Sequence, residues 1–186
     1  MTTALALPST EEEIWRYSRI NELDMSKFAS GKLTTTVDGG EGVQLNGAAA
    51  TALVGAGMHV QPDVFAQLNT DTPDVIALHI GKNKVHTQTV VITHSVDKSG
   101  VVAYPRLVID AAENSEIVVV ERFISADSVH SLVIPVVEVH AAQSARVTYL
   151  AINELGKNTW QIGHQVAVGE RDSNVRLFTV ALGGDY

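Results

Sequence analysis

From Asp74 onward the chain runs for more than a hundred residues through one strand-like segment after another, with no helical pattern between them. The segments are Val75 to Ile80, Val85 to Ser95, Arg106 to Asp110, Glu116 to Ile124, Leu132 to His140, Ala145 to Ile152, Gln161 to Val168 and Asn174 to Leu182. Each is rich in β-branched residues and bounded by Gly, Asn, Asp or Ser. An alternating α/β fold requires helices between its strands and is excluded, which leaves a sandwich, a barrel or a solenoid.

An internal repeat bears on that choice. Asp110-Ala111-Ala112-Glu113-Asn114-Ser115-Glu116-Ile117 aligns with His140-Ala141-Ala142-Gln143-Ser144-Ala145-Arg146-Val147, thirty residues later. A weaker third copy, Gly169-Glu170-Arg171-Asp172-Ser173-Asn174-Val175, follows after twenty-eight more. Each copy is a polar turn between two apolar strands, the pattern of stacked coils in a β-solenoid. Hairpins of a sandwich can produce a similar spacing, so periodicity alone leaves both open.

The first seventy residues have a different character. Thr10-x-x-Glu13 reads as a capping box, and Ile14, Trp15, Tyr17 and Ile20 form the apolar stripe of a short helix. Met25 to Gly42 is polar and Gly-rich, with one expected strand at Leu33 to Val37 and a turn at Asp38-Gly39-Gly40. A second helix is expected from Pro62 through Val64, Phe65 and Leu68, ending near Asn69. Gly47 to Val60 is ambiguous, because Gly55 and Gly57 interrupt a helix-prone run. The expected division is therefore residues 1–73, a helical and linker region, followed by residues 74–186, a β core.

Composition limits the chemistry. The chain has no cysteine, so disulfides, thiolate metal ligation and cysteine nucleophiles are excluded. Its formal net charge is −8 with acidic and basic residues interspersed, whereas a nucleic-acid partner requires a clustered basic face. Hydrophobic residues make up 45%, ample for a buried core, yet no run approaches the about 18 apolar residues of a membrane-spanning helix. Met1 to Pro8 lacks the positive charge of a secretory signal, and the expected location is the cytoplasm.

Four stretches resemble a known family. Leu7-Pro8 followed by Glu13-Ile14-Trp15-Arg16-Tyr17-Ser18 is similar to the amino-terminal motif of SufD proteins, members of the SufB/SufD family of iron–sulfur cluster assembly scaffolds. Phe65-Ala66-Gln67-Leu68-Asn69 resembles the segment before that family's first strands. Pro105-Arg106-Leu107-Val108-Ile109, then Ser115 to Glu121, is similar to its β-helix stretch, and Ala181-Leu182-Gly183-Gly184 to a Gly-Gly midway along such proteins. The resemblance implies a right-handed parallel β-helix with a small helical amino-terminal region. It further implies a non-catalytic subunit partnering a SufB-like paralogue and a SufC-like ATPase, with an iron–sulfur cluster at the level of the complex. It also implies more coils past Tyr186, carrying the ATPase docking surface and the cluster-handling histidine. No residue of this chain is therefore assigned as catalytic, cofactor-binding or metal-binding.

The candidates the residues offer have plainer readings. Histidines 59, 79, 86, 94, 130, 140 and 164 form no metal motif; His79, His86 and His94 could stack on neighbouring strands, but ordinary strand histidines at turn edges are favoured. Gly55-x-Gly57 lacks the context of a phosphate loop and reads as a turn. Glu121-Arg122 reads as an outward-facing charged step, with a buried pair as the alternative. Trp15 and Tyr17 are expected to pack the first helix onto the end of the solenoid. Two rival functions stay open, a β-helix carbohydrate-active enzyme and a sugar- or metal-binding β-sandwich. The last strand, Asn174 to Leu182, has only four residues after it, so a homodimer through an uncovered last coil is expected, with Phe178 and Val180 at the contact.

Overall fold

A computed structural model describes residues 6–58, 62–70 and 74–186. The amino-terminal part consists of three 3-10 turns (Glu13–Trp15, Ile20–Glu22, Met25–Lys27), strands β1 (Ala29–Ser30), β2 (Thr34–Asp38) and β3 (Gln44–Leu45), and helices α1 (Ala48–Thr51) and α2 (Val64–Asn69). The chain then winds through β4 (Val75–Ile80), β5 (Val90–Val96), β6 (Val101–Ala103), β7 (Arg106–Ala111), β8 (Glu116–Ser125), β9 (Ser131–Val133), β10 (Val136–Ala141), β11 (Arg146–Glu154), β12 (Thr159–Gln161), β13 (His164–Gly169) and β14 (Asn174–Ala181).

These strands stack as a parallel β-solenoid. Sheet one has the order β13-β10-β7-β4-β3, sheet two β14-β11-β8-β5-β2 and sheet three β1-β6-β9-β12. Val75 lies beside Arg106, Arg106 beside Val136 and Val136 beside His164, so one coil advances by about thirty residues. All pairings between coils are parallel, which removes the sandwich reading. Alternation within each strand fills the interior: Ile117, Val119 and Phe123 of β8 are buried, while Val118 and Val120 face outward.

The repeat seen in the sequence is one corner of the coil. Asn114, Ser144 and Asp172 take left-handed backbone angles, with φ of 54°, 62° and 63°. Asn83, at φ 58°, is an earlier copy that the sequence pattern does not reveal. Short polar side chains tolerate this conformation because they hydrogen-bond locally. The corners also stack: the Asn83 amide donates to Glu113, that of Asn114 to Gln143 and that of Ser144 to Arg171.

A second corner divides two segments that read as single strands. Leu132 to His140 breaks at Ile134-Pro135 and Gln161 to Val168 at Ile162-Gly163. At Gly163 a Cβ would lie 2.7 Å from the Pro135 ring, so the tight stacking of this corner requires glycine. The expected Val85 to Ser95 strand begins only at Val90, with Val85 left in an isolated bridge to Glu116.

The amino-terminal region covers the start of the solenoid and two of its sides. At the first coil, β2 and β3 pair antiparallel with β5 and β4, and β1 pairs parallel with β6, so the exposed edges are closed. Trp15 does not pack over the end. It lies against sheet three with Ile20, Leu23, Phe65, Val102 and Leu132, and its ring sits 5.5 Å from that of Phe65, while Tyr17 stays 93% exposed. The capping box shifts by one residue: the Ser9 amide donates to Glu12 at 3.0 Å, and Thr10 instead accepts from Asn21. Sheet one is covered by α1, through Ala50 against Ala77 and Val108, and by Met58 and Ala66 against Val136.

Helix α2 is tied down at both ends. Asp63 accepts from the Phe65 and Ala66 amides at 2.9 and 3.0 Å and contacts His164 Nε2 at 3.0 Å. Asn69 donates to the Pro105 and Ile134 carbonyls at the second corner. Burial raises the Asp63 pKa, but the His164 and amide hydrogen bonds outweigh it and hold the carboxyl below its ordinary range. A depressed carboxyl stabilises the fold above its unfolded value of about 3.9, and that increment fades as pH falls through the lower folded value. Asp63→Ala is expected to cost about 1–2 kcal/mol at neutral pH, read as a lower urea midpoint. The gap between variant and parent should close at strongly acidic pH.

Candidate functional site

The period of two that fills the interior with Val, Ile and Leu also directs His94, Glu121, Tyr149 and Asn153 of sheet two inward. His94 sits in β5, Glu121 in β8 and Tyr149 in β11, and all three are buried. They join across successive coils. His94 Nε2 lies 2.9 Å from Glu121 Oε1, and the Tyr149 hydroxyl donates to Glu121 Oε2. At the lower end Thr35 Oγ1 lies 2.8 Å from His94 Nδ1, and Phe123 stacks on the imidazole with ring centres 4.9 Å apart.

The chemistry of the groups orients this line. With a His94 N–H on Nε2 donating to Glu121 Oε1, Nδ1 is left to accept from the Thr35 hydroxyl. Burial, then the Glu121 charge and hydrogen bond, push the Tyr149 phenol well above its ordinary value, so it stays a neutral donor. The line runs between two recesses. One, of about 320 Å³, is lined by Leu33, Thr35, Ile76, His94 and Pro105. The other, of about 340 Å³, lies at the last coils and is lined by Tyr149, Asn153, Gln161, His164, Gln165 and Thr179. Such a line gives both oxygens of a buried carboxyl group a hydrogen-bond partner inside the apolar interior.

Glu121 and Arg122 therefore do not form an outward-facing step. Alternation sends them to opposite faces: Glu121 enters the interior, and Arg122 remains outside, paired with Glu154 at 2.7 Å. The signal was present in the sequence, since Glu121 falls on the same parity as Ile117, Val119 and Phe123.

A second buried charge lies outside sheet one. Glu138 is fully buried, 3.4 Å from Arg106 Nε, and accepts from the Gly55 and Gly57 amides at 2.7 and 3.1 Å. Burial lowers the Arg106 pKa and the Glu138 charge partly restores it. The Gly55-x-Gly57 turn thus holds an anion, but the anion is a carboxylate of the same chain, and the pair pins the α1 segment to the sheet.

The histidines are dispersed. His79 Nδ1 lies 2.6 Å from Asp110, His86 Nε2 lies 2.7 Å from the Gly39 carbonyl, and His164 contacts Asp63. His79 and His94 belong to different sheets, so the alternative of a stack of three does not form. His130 is exposed at a turn, His140 keeps a buried Nε2 without a hydrogen-bond partner, and His59 lies outside the described residues. Among the described residues no three His, Asp or Glu side chains converge to hold a metal ion. No described helix is long and apolar enough to cross a membrane.

The fold thus defines a parallel β-solenoid whose interior carries a closed line of polar groups and whose chain has no thiolate. Residues 91–186 match the family described as SUF system FeS cluster assembly, SufBD core domain, and the chain belongs to that family. No curated protein and no solved structure matches it.

Glu121→Ala would leave the His94 N–H and the Tyr149 hydroxyl buried without an acceptor, an expected cost of about 2–4 kcal/mol. Tyr149→Phe should cost about 1–2 kcal/mol. Because both changes break the same line, the double variant should lose less than the sum, measured by urea denaturation in a double-mutant cycle.

Proposed function

We propose that the chain acts as a non-catalytic, cytoplasmic scaffold subunit of the SUF system, of the SufD kind. It works with a SufB-like paralogue and a SufC-like ATPase, and the iron–sulfur cluster is the cargo of the complex. The observation that carries this reading is the SufBD core match across β5 to β14, the coils that form the solenoid. The absence of cysteine favours the SufD kind over the SufB kind, because cluster iron is ordinarily held by thiolates. The Trp15-Arg16-Tyr17 opening favours it as well.

The carbohydrate-active alternative has less support. A lyase or hydrolase on this fold needs a groove of convergent carboxylates, whereas Glu116 and Glu154, on the outward side of β8 and β11, stand at opposite strand ends, each beside an arginine.

Two measurements test the reading. After anaerobic treatment with iron and sulfide the purified chain should stay colourless, and omitting it from a reconstituted SUF mixture should lower cluster yield. A visible cluster band at one per chain would contradict the scaffold role and require a histidine–carboxylate site. The chain alone should neither capture the SufC-like ATPase in calorimetry nor change its ATP turnover. Tight capture would place the docking surface on these coils.

A further inference from the structure

On the outer side of sheet two, strands β11 and β14 change character along their length. Register sets Arg146 against Asn174 and Thr148 against Arg176, then Leu150 against Phe178 and Ile152 against Val180. Phe178 and Val180 therefore project sideways from this face, not from the end of the last coil. The first two pairs are polar and the last two apolar, so a boundary crosses the face between Arg176 and Phe178.

The polar pairs, with Glu116 of β8, border a recess of about 220 Å³. Its donors are largely unused. Arg176 makes neither an ion pair nor a hydrogen bond among the described residues, and the Thr148 hydroxyl and Asn174 amide have no hydrogen bond either. Arg146 meets Glu116 only at 4.0 Å, with the two side chains 64% and 46% exposed, a contact worth little in water. Arg122 on the same face is by contrast paired with Glu154 at 2.7 Å. Two arginines against one glutamate leave the recess positive on a chain whose formal net charge is −8. Because β11 lies between β8 and β14, Glu116 approaches Arg146 from the side away from Asn174 and Arg176.

We propose that this recess binds the phosphate group of a small organic phosphate whose planar apolar part lies on Phe178. Strands about 4.8 Å apart, with about 3.3 Å per residue, root Arg146 and Arg176 about 8 Å from each other, so both long side chains reach one anion between them. Guanidinium forks bond anionic oxygens in pairs. A phosphate monoester offers three free oxygens to the two forks, the hydroxyl and the amide, whereas a planar carboxylate offers two. Phe178 stands two residues beyond Arg176 on the same side of β14 and is 52% exposed. Its ring face is open to stacking by a planar group carried next to the phosphate.

Phenyl phosphate, benzoate and inorganic phosphate, each titrated into the full chain and followed by NMR at the Thr148 and Arg176 amides, test the site. Phenyl phosphate should saturate with a dissociation constant below about 1 mM, and the other two should bind at least about fivefold more weakly. Arg176→Ala should weaken phenyl phosphate at least about tenfold. Phe178→Ala should bring phenyl phosphate down to the affinity of inorganic phosphate while leaving inorganic phosphate within about twofold of native. Both side chains are exposed, so both variants should keep the fold, which the dispersion of their spectra checks. Should a variant fail to fold, the three probes on the native chain still decide. No saturable shift by about 10 mM phenyl phosphate overturns the proposal, as does benzoate binding as tightly as phenyl phosphate. Phenyl phosphate binding that is unchanged in Arg176→Ala or in Phe178→Ala also overturns it.

Discussion

Each inner coil of this solenoid finds its backbone partners in the coil before it and the coil after it, and that stacking is the constraint the rest of the structure obeys. The parallel register of about thirty residues per turn aligns each corner over the last, so left-handed Asn83, Asn114, Ser144 and Asp172 recur at one place. It also aligns the inward side chains in rows, and the Val, Ile and Leu of each row bury one another. A ladder of this kind cannot begin without a partner. Strands β1, β2 and β3 supply it, two of them antiparallel, and so end the stacking on the amino-terminal side.

Within that apolar interior the line from Thr35 through His94 and Glu121 to Tyr149 is the exception, and it persists because its hydrogen bonds close on one another. A buried carboxylate is tolerable when an imidazole and a phenol donate to it, and destabilising when either is lost. Glu138 follows the same rule outside sheet one, where Arg106 and two glycine amides meet it. In both places a charge joins segments distant in the chain: Glu121 links neighbouring coils, and Glu138 fastens the α1 segment to the sheet.

The three outer faces differ because the first seventy residues cover only two. Trp15 and Phe65 close sheet three, and α1 with α2 closes sheet one, which explains why β7 and β10 are buried on both sides. Sheet two keeps its outward row of Val120, Leu150 and Phe178. Polar and charged side chains, among them Arg122, Thr148 and Arg176, share that face.

Much of the fold was legible in the sequence because its signals are local. β-branched runs mark β7, β8, β11 and β14 almost to the residue, and the Asn114 and Ser144 turns announce the corner, since strand preference and turn chemistry act over a few residues. The family was legible for the same reason, in short motifs. Only the tertiary structure decided that Pro135 and Gly163 break two runs at a second corner, that Trp15 lies along a side of the solenoid, and that Glu121 and Arg122 part to opposite faces. It alone joined Thr35 to His94 across 59 residues and Asp63 to His164 across 101. Such pairs depend on how the segments pack in space, and no propensity carried by neighbouring residues can specify a partner so distant along the chain.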